Sequence, residues 1–167
     1  PRYRVGLNLD AAWKGIDFSI FFQGVLKRDW MFDAGDPYFW GAGSGMWQAA
    51  CFEEHMDYWT PENTDAYYPK PYFNETKNQQ AQDAYMQKAS YLRCKNIQLG
   101  YTLPTHITEK AGISNCRIYL SCDNLFTITG LSSVYDPEAF GSYDGYGTSG
   151  KTYPLQRTIS VGVNLNF

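Results

Sequence analysis

The 167-residue sequence is poor in the features that would make it simple to classify. It has no run of ~18 consecutive apolar residues, so no helix of it can cross a bilayer. It has no cationic surplus: 14 Lys and Arg stand against 17 Asp and Glu. Binding to nucleic acid needs such a surplus to displace counterions, so that class is excluded. Charged residues make up only 19% of the chain. The four cysteines, Cys51, Cys94, Cys116 and Cys122, show no CxxC spacing. Cys116 and Cys122 share parity, which on one strand sets them too far apart to bridge, so unpaired apolar filler is the expected role. There is no GxSxG, no glycine-rich phosphate cradle and no HExxH. Accordingly no catalytic residue, cofactor site or metal site is expected. The chain starts at Pro1 without an apolar leader, which points to a processed chain or a piece of a longer one.

What the sequence does have is aromatics, at 17%, and alternation. From Ile159 to Phe167 every odd position is apolar (Ile159, Val161, Val163, Leu165, Phe167) and every intervening one is small or polar. This pattern outlasts an ordinary strand of ~5–6 residues and fits the ~9–11 that cross a bilayer as a tilted strand. The same parity recurs in Tyr3-Val5-Leu7-Leu9, Ile16-Phe18-Ile20-Phe22, Ile97-Leu99-Tyr101-Leu103 and Cys116-Ile118-Leu120-Cys122. Five amphipathic strands are therefore expected, over 3–11, 15–25, 90–103, 116–127 and 157–167. Arg93 and Lys95 share parity with Ile97, so the apolar face of the third strand either ends there or is shifted by a bulge.

The connections alternate in length. Short links at 11–15 and 104–115 contrast with long excursions at 26–89 and 128–156. Long loops on one side and short turns on the other are the habit of outer-membrane barrels. The first excursion is expected to hold a helix from Met46 to Trp59, stopped at Thr60-Pro61. The short link is expected to hold one helical turn from Thr105 to Ala111, ended by Gly112. Gly141, Gly145, Gly147 and Gly150 read as turn formers, and Asn74-Glu75-Thr76 as a chance glycosylation pattern.

Several segments match one family in order. They are Tyr58-Trp-Thr-Pro-Glu-Asn-Thr-Asp-Ala-Tyr-Tyr-Pro69, Ser90-Tyr-Leu-Arg-Cys-Lys-Asn-Ile-Gln-Leu-Gly-Tyr-Thr-Leu-Pro104, Arg117-Ile-Tyr-Leu-Ser-Cys-Asp-Asn-Leu-Phe-Thr127, Asp136-Pro-Glu138 and the strand closing on Phe167. The chain thereby resembles the SusC/RagA-type TonB-dependent outer-membrane transporters of Bacteroidetes. Cys94 and Cys122 depart mildly from the aliphatic and small residues usual there.

The resemblance implies an all-β fold: the C-terminal strands of a large antiparallel transmembrane β-barrel, with long extracellular loops, one containing a short helix. It further implies import of oligosaccharide or peptide across the cell outer membrane. The implied partners are a SusD-like lipoprotein over the loops, TonB acting through parts absent from this sequence, and outer-membrane lipid. Phe167, a C-terminal aromatic, resembles a barrel-assembly signal. Asp10, Asp17, Asp123, Arg4 and Arg117 would line the lumen.

Residues 25–88 concentrate 14 of the 29 aromatics. Trp30, Trp40, Trp47, Tyr67 and Tyr68 are the candidate contacts to substrate or partner, because flat rings stack on sugars and anchor interfaces. Internal packing of the loop is the leading alternative for the same rings. Glu53, Glu54, His55 and Asp57 are expected to form a solvated helix face. Two rival functions remain: a soluble secreted carbohydrate-binding β-sandwich, and a glycoside hydrolase using a carboxylate pair such as Glu53 and Glu62.

Overall fold

The computed structural model describes residues 2–44, 50–72, 77–139 and 153–167. The expectations placed on Trp47, on Asn74-Glu75-Thr76 and on Gly141, Gly145, Gly147 and Gly150 lie outside the described residues. The chain divides into two compact units. The first is the strand unit, 1–28, 90–129 and 155–167; the second is the loop unit, 29–89 and 130–154.

The strand unit is an antiparallel sheet. Its main strands are β1 (Arg4–Trp13), β2 (Ile16–Val25), β4 (Gln87–Thr102), β5 (Asn115–Asp123) and β7 (Thr158–Asn166), in the spatial order β1-β2-β4-β5-β7. Two short strands, β3 (Asp29–Trp30) and β6 (Thr127–Gly130), pair with β4. The hairpin between β1 and β2 needs only two residues. Lys14 and Gly15 both take positive φ, 48° and 85°, the conformation of a type I′ turn that matches strand twist. The strands thus run closer to the turn than the expected link at 11–15.

Residues directly opposite in a sheet point to the same face, so the register shows whether the alternations combine. They do. Ala11, Phe18, Leu99, Leu120 and Val161 form one cross-strand row. Leu9, Ile20, Ile97, Cys122 and Ile159 form the next, and Trp13, Ile16, Tyr101, Ile118 and Val163 the third. This apolar face is uncovered: Leu99 is 51% exposed and Val161 74%. The ambiguity at Arg93 and Lys95 resolves as a bulge. Phe21 faces Asn96 while Phe22 faces Cys94, so Lys95 is the extra residue and Cys94 joins the apolar face. Phe126 packs on Phe22 there, with ring centroids 6.3 Å apart. All four cysteines are free thiols, Cys94 and Cys122 buried among apolar neighbours.

The link after β4 holds α1 (Thr105–Thr108) and a further 3-10 turn, Glu109–Ala111. Gly112 ends it at φ 71°. The Thr102 N–H donates to Gly15 O at 2.8 Å and the Ser114 N–H to Asn166 O at 2.8 Å, so the hairpin, this link and the end of β7 lie at the same end of the strands.

The expected helix from Met46 to Trp59 is not what the described residues form. Phe52 is extended (φ −102°, ψ 167°) and only Glu53–Met56 make a turn, of 3-10 type. Periodicity misleads here because His55 is drawn inward and the apolar Met56 is left out, 65% exposed.

Candidate functional site

Two surfaces carry chemistry: the polar face of the strand unit and the aromatic loop unit. On the polar face, Asp17 on β2 and Arg117 on β5 form an ion pair across the intervening β4. Arg117 Nε donates to Asp17 Oδ1 at 2.9 Å and its other arm reaches Gln98 Oε1 at 3.2 Å. They meet because Gly100 lies between them on β4; a Cβ there would sit 2.5 Å from both side chains. One position further, the Tyr119 ring lies over Gly162, where any Cβ would overlap it. The Arg117 guanidinium stands 5.0 Å from the Tyr119 centroid. Asn96 donates to Asp123 Oδ1 at 2.7 Å and to Ser121 Oγ at 3.2 Å. Asn8 donates to Asp10. The polar face thus carries one ion pair, Asp17 with Arg117, and two carboxylates, Asp10 and Asp123, each held by an amide, on a surface that water can wet.

The loop unit is built round stacked rings. Phe32 stacks on Phe39 and on Tyr135, each at 4.4 Å. Trp40 meets Phe39 and Tyr85 edge-on at 4.7 and 4.8 Å. Buried Asp36 organises this core: its Oδ1 accepts the Phe39 N–H at 2.9 Å, the Tyr38 N–H at 3.1 Å and the Tyr135 hydroxyl at 2.9 Å. Burial and the neighbouring Asp36 carboxylate push the Tyr135 phenol far above its ordinary pKa, so it stays a donor.

The cluster expected to be a solvated helix face is instead a set of braces. His55 is buried; its Nδ1 accepts the Phe52 N–H at 3.0 Å, which leaves the ring proton on Nε2 to donate to Phe39 O at 3.1 Å. Gly41, at φ 56°, makes room, since a Cβ there would lie 2.7 Å from His55 Nδ1. The Glu54 carboxylate accepts the Ser132 hydroxyl at 2.5 Å, the Ser133 hydroxyl at 2.5 Å and the Ser133 N–H at 3.2 Å, tying the two excursions together. Burial alone would raise the Glu54 pKa, but these three donors outweigh it and hold the group below its usual range. Asp57 closes the Trp59-Thr-Pro-Glu-Asn63 turn: it accepts the Asn63 amide at 3.1 Å and the Tyr67 N–H at 3.1 Å. That motif is an architectural element that sets Tyr67 and Tyr68 side by side, ring centroids 4.9 Å apart. Sequence reading missed Asp36, Glu54 and Asp57 as organisers, because their partners lie up to 99 residues away.

The expected contact residues separate accordingly. Trp40, 5% exposed, and Tyr68, 7% exposed, belong to the core. Trp30 packs against that core half-buried, and Tyr67 is 39% exposed. Trp40 and Tyr68 also show an edge to a cavity of about 240 Å³ within the loop unit, shared with Tyr58 and Tyr72. Glu53 and Glu62, the carboxylates a hydrolase would need, are both on the exposed surface. Among the described residues, no group of three His, Cys, Asp or Glu could hold a metal ion. No helix among them is long and apolar enough to cross a membrane, which does not bear on crossing by strands.

An open antiparallel sheet with one uncovered apolar face, one wetted polar face and long excursions between strands is a segment of a large β-barrel wall. The comparisons narrow this class. The chain is 30% identical over its full length to TonB-dependent receptor P3 of Formosa agariphila, and 28% identical to TonB-dependent receptor P26 of the same organism. Structures of the RagAB peptide importer superpose with a TM-score of 0.71 at 29% identity over 98% of the chain in the open-open state, and 0.70 at 26% identity in the closed-closed state. No family model matches. Over its full length the chain is thus similar to TonB-dependent receptors of the SusC/RagA type. It spans 16–17% of the length of the curated relatives and 17% of the matched importer chains.

Proposed function

We propose that this chain forms part of the wall of an outer-membrane, TonB-dependent nutrient importer, and that its role is gated passage without covalent chemistry. The observation that carries this reading is the continuous apolar face. At ~3.3 Å per residue, strands of nine to ten residues span about 30 Å, and a tilt of ~45° brings that near the ~25 Å apolar band of such barrels. In this reading the apolar rows meet lipid, the Asp17–Arg117–Gln98 and Asn96–Asp123 groups line a hydrated lumen, and the 26–89 and 128–156 excursions are extracellular. The strand ends that carry the Lys14-Gly15 turn and the 103–114 link are periplasmic. Phe167 continues the apolar parity of β7 and serves as the assembly signal.

A SusD-like lipoprotein caps the loop unit, with exposed Tyr67 and half-buried Trp30 as contact candidates for it or for a glycan or peptide substrate; Trp47 is carried as a candidate from the sequence alone. A complex of this kind is supported by the matched importer, which is a two-protein RagAB assembly named for peptides. TonB acts through parts beyond this sequence. A soluble sandwich is disfavoured because its apolar face would be covered by a second sheet, and here that face is open to solvent.

The test is extraction and partner capture on the full-length protein. The importer reading expects it in the outer-membrane fraction, released only by detergent, co-purifying with a lipoprotein, and its deletion abolishing growth on one oligomeric nutrient. A freely soluble protein with no membrane-associated pool contradicts it.

A further inference from the structure

The loop unit is strongly acidic, yet its aromatic cavity is not. In the described residues of this unit there are eleven carboxylates and only three cations, Lys70, Lys77 and Lys88. Two of those three lysines line the cavity, and none of the eleven carboxylates does. Both lysines are drawn to one ring: Lys77 Nζ stands 4.4 Å and Lys70 Nζ 5.7 Å from the Tyr72 centroid. An ammonium held over a ring keeps its N–H donors for an incoming anion. Trp40, Tyr58 and Tyr68 supply aromatic surface to the rest of the wall, and Asn78 and Gln79 add uncharged amides. His55, which also lines the cavity, has both ring nitrogens committed to Phe52 and Phe39, so the lysines supply its positive charge.

We infer that this cavity binds the carboxylate-bearing ring of an acidic oligosaccharide, with Lys70 and Lys77 gripping the carboxylate and Tyr72 and Trp40 flanking the sugar ring. At about 240 Å³ the cavity admits one sugar unit and leaves the rest of the chain outside. This inference deepens the importer reading by naming a substrate class, and it rests on that reading only for the exposure of the loops.

The experiment uses full-length protein purified in detergent, titrated with a trimer of galacturonic acid and with its methyl ester, which has the same skeleton without charge. Heat-modifiable migration on gels confirms the folded barrel in each sample, so failure of the importer reading shows there and failure of this inference shows in the titration. The free acid is expected to bind at least tenfold more tightly than the ester. Lys70→Gln with Lys77→Gln is expected to remove that preference, Lys70→Arg with Lys77→Arg to retain it, and Lys88→Gln to leave it unchanged. Equal binding of acid and ester, or an unaltered preference in the double Gln variant, overturns the inference. Equally tight, lysine-dependent binding of a triglutamate peptide overturns the assignment to saccharide.

Discussion

Val161 and Ser160 are neighbours on β7 and differ only in which face they join. Val161 lies in the middle row of the apolar face, opposite Leu120 and in line with Leu99 and Phe18, whereas Ser160 lies opposite Ser121 on the polar face. Arginine at Val161 must therefore sit near the midplane of the lipid band, at a cost of about 2–4 kcal/mol, while arginine on the polar side stays in water and avoids that cost. That figure is a loss of roughly 30- to 700-fold in folding equilibrium. Both variants put the same arginine on the same strand, and β propensity separates Val from Ser by no more than about 1 kcal/mol, so a larger difference between them isolates the face. The assay is refolding of the full-length protein into lipid vesicles across a urea series, with folded fraction read from heat-modifiable migration. Val161→Arg should shift the midpoint strongly and Ser160→Arg little. Equal shifts, or a larger one for Ser160→Arg, would refute the assignment of faces.

Other consequences follow from the close contacts. Gly162→Leu must drive the Tyr119 ring off its seat and away from Arg117, and should destabilise the barrel by about 1–3 kcal/mol in the same refolding assay, whereas Gly112→Ala, with open space around it, should cost only its strained φ. Gly41→Ala combines a left-handed backbone with a collision against His55; limited proteolysis of the loop unit should accelerate several-fold while barrel migration stays unchanged. The Glu54 carboxyl is held below its unfolded pKa, so its contribution is present at pH above the unfolded value and is lost as pH falls through the folded one. Hydrogen exchange at the Ser133 amide should therefore speed up only below the usual carboxylate range, and Glu54→Gln should show fast exchange already at neutral pH.

The strands were legible because each writes its own two-residue period, and a slip of one residue would have inverted Val161 and Ser160. Even the bulge left a trace, in the wrong parity of Arg93 and Lys95, although only the pairing of Phe22 with Cys94 places it. The loop unit was far less legible. Composition announced an aromatic segment but could not tell Trp40, at the centre of the core, from Tyr67, at its surface, since both have the same chemistry. The group Glu53, Glu54, His55 and Asp57 suggested a wetted helix face because helical period alone cannot register that Glu54 finds Ser132 and Ser133, or that Phe39 offers its carbonyl to His55. Such partners are set by chain folding over tens of residues, and no local pattern records them.

The central claim is that the alternating residues of β7 divide lipid from water. Single cysteines at each position from Thr158 to Asn166, introduced in a full-length background lacking the native cysteines and carrying a spin label in membranes, measure this directly. Accessibility to oxygen should peak at 159, 161, 163 and 165, and accessibility to a water-soluble nickel chelate at the even positions, the two profiles running out of phase. Profiles that rise and fall together, or chelate access at Val161, would contradict the account.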